Sequence, residues 1–177
     1  MKRLLKAVGA LGLIVAALLF VQTPARADDE NWRVRSYRAT ATVDPQGTTS
    51  VRLNLEFDFG TDPGHGPYLT FPLRQEIGDD PDHWRMLDVT VGQVSSPSGA
   101  NAELQTQTED GNLLIRVGSE GLTYTGVQTY EVTYTIRGLI APRQAQSGLD
   151  EFNWNAVGTG WEVPIDAVEV AVQGPVA

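Results

Sequence analysis

The clearest pattern in the chain is a strict alternation of apolar and polar residues. Val51, Leu53, Leu55, Phe57 and Phe59 alternate with Arg52, Asn54, Glu56 and Asp58. Period two with charges or amides between the apolar positions predicts a strand with one buried and one wet face. Tyr37, Ala39, Ala41 and Val43 alternate with Arg38, Thr40 and Thr42 just upstream. Asp44-Pro-Gln-Gly47 lies between the two runs, with proline suited to the second turn position and glycine able to take a positive φ. Residues 34–59 therefore read as a hairpin. Residues 60–82 read as a long connection, because Gly60, Pro63, Gly64, Gly66 and Pro67 break any helix. Tyr68, Leu69, Phe71 and Leu73 give that connection apolar anchors.

Alternation resumes at Leu87, Val89 and Val91 and again at Ala102, Leu104 and Thr106, with Ser95-Ser-Pro-Ser-Gly99 as a turn. Glu109-Asp-Gly-Asn112 closes a further hairpin whose second arm is Leu113, Ile115 and Val117. Tyr130, Val132, Tyr134 and Ile136 make an aromatic and β-branched strand suited to a sheet centre. Residues 141–150 are polar and irregular, and Val168, Val170 and Val172 form a last strand. No amphipathic helix is expected after residue 27. About seven or eight strands separated by turn signals predict an all-β antiparallel β-sandwich, immunoglobulin-like or jelly-roll in type.

The first 27 residues follow a different rule. Met1, Lys2, Arg3 and Lys6 precede an apolar run from Ala7 to Val21, and Pro24-Ala-Arg-Ala27 supplies small residues at the positions of a cleavage site. The run is about 15 residues, short of the ~20 that span a bilayer. Residues 1–27 are predicted to be a cleaved signal peptide and residues 28–177 a single extracytoplasmic domain. That leaves 150 of the 177 residues, enough to bury about 68–70% of the unfolded surface.

Loss of Lys2, Arg3, Lys6 and Arg26 leaves nine of the 13 basic residues against 22 acids, a net charge of −13 with no lysine. Such a surface disfavours nucleic acid and anionic lipid. The acids are scattered, which fits a solubility role better than an acidic binding face. There is no cysteine, hence no disulfide and no thiolate metal site.

Candidate chemistry is sparse. His65 and His83 lie in separate loops at no ligand-like spacing, and no metal or cofactor is expected. There is no G-x-S-x-G elbow and no phosphate loop. With 22 acids some carboxylates will fall close together by chance, which makes a glycosidase pair uninformative. The expectation is therefore not an enzyme. The candidate binding residues are Tyr68, Arg74, Trp154, Trp161 and Glu162. Arg74 could hold an anion or a partner carboxylate, although an internal ion pair is the preferred reading. Trp154 and Trp161 are a sugar-stacking platform on one reading. On the preferred one they lock against the core, since Val157, Val163 and Ile165 surround them.

Three segments together carry a family resemblance. They are Thr40 to Phe59; the loop His65-Gly-Pro-Tyr-Leu-Thr-Phe-Pro-Leu-Arg74; and Tyr130-Glu-Val-Thr-Tyr-Thr-Ile-Arg-Gly138 followed by Asn153-Trp-Asn-Ala-Val-Gly-Thr-Gly-Trp-Glu-Val-Pro-Ile165. The chain resembles the DUF2207 family of predicted bacterial membrane proteins, with its "G-x-Y-R-x-I-P", "Y-x-I-x-Y" and "W-N-x-x-G-x-x-W-x-V-P-I" motifs. Leu69 stands where that pattern has arginine. The resemblance implies a secreted β-domain followed by membrane segments, of which this chain carries only the outer domain. It implies no catalytic residue. The expected function is non-enzymatic recognition or assembly beside a membrane or envelope protein. Binding of a carbohydrate or cell-wall polymer, with or without hydrolysis, is the alternative.

Overall fold

Twelve strands form in the computed structural model, which describes residues 32–77 and 80–175. They are β1 (Arg33–Val43), β2 (Thr49–Asp58), β3 (Tyr68–Pro72), β4 (Arg74–Ile77), β5 (Asp80–Met86), β6 (Asp88–Ser95), β7 (Leu104–Glu109), β8 (Asn112–Val117), β9 (Val127–Arg137), β10 (Ile140–Ala141), β11 (Glu151–Phe152) and β12 (Val168–Gln173). The predicted signal peptide lies outside the described residues. No described helix is long and apolar enough to cross a membrane.

The first hairpin forms as its alternation requires. Asp44 Oδ1 accepts from Gln46 N at 2.9 Å and Thr48 N at 2.8 Å, and Gly47 takes φ 79°. This side-chain turn fixes the register that places Tyr37, Ala39 and Ala41 opposite Leu55, Leu53 and Val51. Asp110 and Gly111 both take positive φ, which matches the twist of the β7–β8 hairpin.

One sheet runs β12-β1-β2-β9-β6 and a second runs β3-β8-β7. Their facing sides form a single core, in which Leu53, Leu55, Tyr130 and Val132 from the large sheet share a cluster with Leu69, Ile115 and Val117 from the small one. Phe71 meets Tyr134 across the gap with ring centroids 4.8 Å apart. The all-β class and the two-layer arrangement agree with the sequence reading.

Three features differ from it. The expected connection 60–82 contains β3, β4 and the start of β5. Leu69 is buried in β3 while Tyr68 and Thr70 face solvent, so a short period-two strand hides among the glycines and prolines. The strand count is higher because β4–β5 and β10–β11 are small separate ladders. The last strand pairs with β1 in parallel, Tyr37 opposite Val168 and Ala41 opposite Val172, not antiparallel.

A crevice closed by the tryptophan segment

Residues 153–165 lie along the edge of the core, between the large sheet and β3. Hydrogen bonds fasten the segment at both ends. Asn153 N donates to Leu139 O at 3.0 Å, Val34 N donates to Pro164 O at 2.9 Å, and Asp166 N donates to Val34 O at 2.8 Å. In the middle, the buried Tyr37 hydroxyl donates to Ala156 O at 2.6 Å. Trp161 stands edge-on to the Tyr37 ring, centroids 6.0 Å apart, and its Nε1 donates to Val157 O at 2.8 Å. Asn155 Oδ1 accepts from Gly158 N at 3.0 Å, closing a turn in which Gly158 has φ 77°. At Gly160 a β-carbon would sit 3.2 Å from Thr70 Oγ1, so its hydrogen lets the segment approach β3.

The crevice so formed is lined by Tyr68, Thr70, Phe71 and Gln75 on one side and by Trp154, Ala156, Val157 and Trp161 on the other, over Tyr37 and Tyr134. Its cavity is 40 Å³. That is space for a few water molecules, and far less than the several hundred Å³ of an ordinary small-molecule site. No aspartate, glutamate or histidine lines it. Its ionisable groups are tyrosines. Burial pushes the Tyr37 phenol up to about 12 and raises that of Tyr134 further, so both are neutral hydrogen-bonding groups at physiological pH.

The five candidate residues do not all meet. Tyr68, Trp154 and Trp161 share the crevice. Both indoles pack against the core but are only partly buried. Tyr68 sits at the rim, 60% exposed, and its hydrogen bond is the first cause of the raised pKa of Arg116, its partner across the ladder. Glu162 is exposed and does not line the crevice. Arg74 does not line the crevice either. Its guanidinium stacks over the Trp84 ring, 4.5 Å from the centroid.

Trp84 is the residue that the sequence reading passed over. The β4–β5 hairpin places Glu76 opposite Trp84 and Arg74 opposite Met86, on one face. Ile77, Trp84 and Met86 are all exposed, Met86 by 67%. The signal was present in the alternation of Trp84 and Met86 with His83 and Arg85. Tyr37 was likewise read as an ordinary core position. Among the described residues no three His, Asp or Glu side chains converge as metal ligands would.

Comparison with solved structures gives distant likenesses. A native yeast LTA4 hydrolase matches at 10% identity and TM-score 0.45, over 73% of this chain and 20% of the hydrolase. A putative protease from Parabacteroides distasonis matches at 12% identity and TM-score 0.33, over 60% of this chain and 23% of the protease. The chain thus spans about a fifth of the length of either, and neither likeness carries an argument about what it does. No curated protein matches. The family comparison is decisive: residues 33–177 match the N-terminal domain of the predicted membrane proteins called DUF2207, and the chain belongs to that family.

Proposed function

We propose that the chain is a non-enzymatic recognition or assembly domain, held on the outer side of the cytoplasmic membrane and docking a membrane or envelope protein. The observation that carries this reading is the chemistry of the crevice and its surroundings. The crevice is nearly filled and has no carboxylate or imidazole to move a proton at neutral pH. What the domain offers instead are side chains on its surface. Tyr68 stands at the rim, and the neighbouring hairpin, whose Gln75 reaches the crevice, exposes Ile77, Trp84 and Met86. Aromatic, Met and Arg side chains are the types enriched where proteins bind proteins. A binding assay against detergent-solubilised envelope membranes tests this. A saturable complex with a membrane protein, weakened at least ~10-fold by Tyr68→Ala or Trp84→Ala as truncated anchors are, supports it. Turnover of a wall polymer by the purified chain overturns it.

A second reading, binding of a cell-wall polymer, is favoured by one observation: Trp154 and Trp161 share a crevice and are only partly buried. It requires the segment to swing away from β3 to admit a sugar ring. Titration with soluble wall fragments that shifts the fluorescence of both indoles supports it. Unchanged fluorescence rules it out.

A further inference from the structure

The large sheet has two edges, and they are built differently. At β6 the ladder to β9 is interrupted by a register shift between Val91 and Val94, and Asp88 begins the strand. A bulge and a charge are the usual means of preventing an edge from pairing with another chain. At β12 no register shift is found. The strand is regular over six residues, Val-Glu-Val-Ala-Val-Gln, without proline, lysine or arginine. Its only charge, Glu169, is turned to the outer face and paired with Arg38 at 3.5 Å. Val168, Val170 and Val172 stand on the core-side face, in register with Tyr37, Ala39 and Ala41, yet are 50%, 40% and 48% exposed.

The backbone of β12 is self-complementary. Tyr37 N donates to Ala167 O, so in the slanted parallel ladder residues 167, 169, 171 and 173 turn their polar groups toward β1. The N–H and C=O groups of Val168, Val170 and Val172 then point to the open edge. Consider a second β12 laid antiparallel with Val170 opposite Val170. Val168 meets Val172, every edge-facing N–H and C=O of the three valines finds a partner, and all the valines fall on one face. Glu169 meets Ala171. Sliding by two residues in one direction brings Glu169 opposite Glu169, which is repulsive, and in the other leaves Val168 unpaired.

We propose that β12 is the interface between two copies of this chain, paired antiparallel about a two-fold axis through Val170 and joining the two large sheets into one. The symmetry is that of an ordinary isologous dimer. The interface is small, so association in the range of ~10–100 µM is expected. The acidic copies repel one another, with a net charge of −9 for the chain, so added salt strengthens the pair.

The test uses the full chain as the cell produces it, in sedimentation from about 1 to 500 µM, a span that brackets the expected range. A monomer–dimer equilibrium is expected, tightened by salt. Val170→Lys, which sets two cations face to face, should raise Kd about 100-fold or more while leaving a folded monomer by circular dichroism. Thr90→Lys on the β6 edge should change nothing. Because the chain has no cysteine, Val170→Cys gives a unique thiol that should oxidise to a disulfide dimer. Val172→Cys should not, since its counterpart lies four residues away along the strand, roughly 13 Å. A wild-type monomer at every concentration overturns the proposal, as does a dimer that persists in Val170→Lys or cross-links at Val172.

Discussion

Tyr37 and Tyr130 are both nearly inaccessible, 3% and 1% exposed, and they flank Leu55 on the inward face of the large sheet. Removing the hydroxyl from each is the same chemical change, yet the two should differ in sign. The Tyr37 hydroxyl donates to Ala156 O at 2.6 Å and so ties β1 to a segment 119 residues away. Tyr37→Phe removes that bond and leaves a carbonyl at the wall of the crevice without its donor. The loss should be about 1–2 kcal/mol, the net value of a hydrogen bond plus partial desolvation of its orphaned acceptor. For a domain of this size that is a fall in Tm of about 3–6 °C. The Tyr130 hydroxyl is buried with no hydrogen-bond partner among the described residues. Tyr130→Phe removes an unsatisfied polar atom, so stability should be unchanged or rise by up to ~1 kcal/mol. Urea unfolding of the two variants, with m unchanged, reads both directly. Hydrogen exchange adds a spatial check: Tyr37→Phe should speed exchange in residues 153–163, and Tyr130→Phe should not. Equal losses in the two variants would refute the assignment of the Tyr37 bond as the tie that holds the segment.

Two other outcomes follow from the same geometry. Gly66 has φ 135° and Gly118 φ 144°, and a methyl on either would land on a backbone carbonyl beside the other. Gly66→Ala should cost at least ~3 kcal/mol or prevent folding, against ~1 kcal/mol for Gly99→Ala, where φ is 85° but no atom lies within 4 Å of the added carbon; comparable urea midpoints for the two would contradict this. Stability should also fall at alkaline pH. Tyr37 and Tyr134 are raised from 10.0 in the folded protein, so their burial stabilises fully below pH 10 and is lost as pH climbs through the folded value of about 12 for Tyr37. A urea midpoint that stays level from pH 8 to beyond 11 would show that these phenols are not buried as described.

The parts of the fold that can be read from the sequence are those whose cause is local. The β2 alternation, the Asp44 turn and the Asp110-Gly111 turn each specify themselves within a few residues, and all three form as read. β3 was missed because Gly64, Gly66 and Pro67 announce a loop, while only Leu69 and Phe71 mark the inward face. Gly66 serves close backbone approach to Gly118, and Gly64 makes room for the Phe59 and Trp32 rings, contacts between segments that no local window contains. The stacking of Arg74 on Trp84 was not legible, because it joins two strands of a ladder whose register includes an irregularity between Glu76 and Ile77.

The direction of the last strand and the position of the tryptophans turn out to have one cause. β9 runs antiparallel to β2, so it ends beside Thr49, at the same end of the sheet as Val43, the last residue of β1. A final strand antiparallel to β1 could start there at once. A strand parallel to β1 has to start at the far end, near Arg33, and a parallel connection of this kind needs a dozen or more residues. Residues 153–165 are that return path. They leave the neighbourhood of Leu139, pass Tyr37 and reach Val34, where Ile165 makes a parallel bridge just before β12. A chain drawn along the inner side of a sheet must bury what it can against the core and keep its backbone polar groups satisfied. Trp154, Val157 and Trp161 do the first, and the bonds to Leu139, Tyr37 and Val34 do the second. The crevice is thus the seam between the return path and β3. No local pattern in the sequence states the direction of the last strand, which is why the tryptophans could be recognised as a lock from sequence while the crevice they close could not.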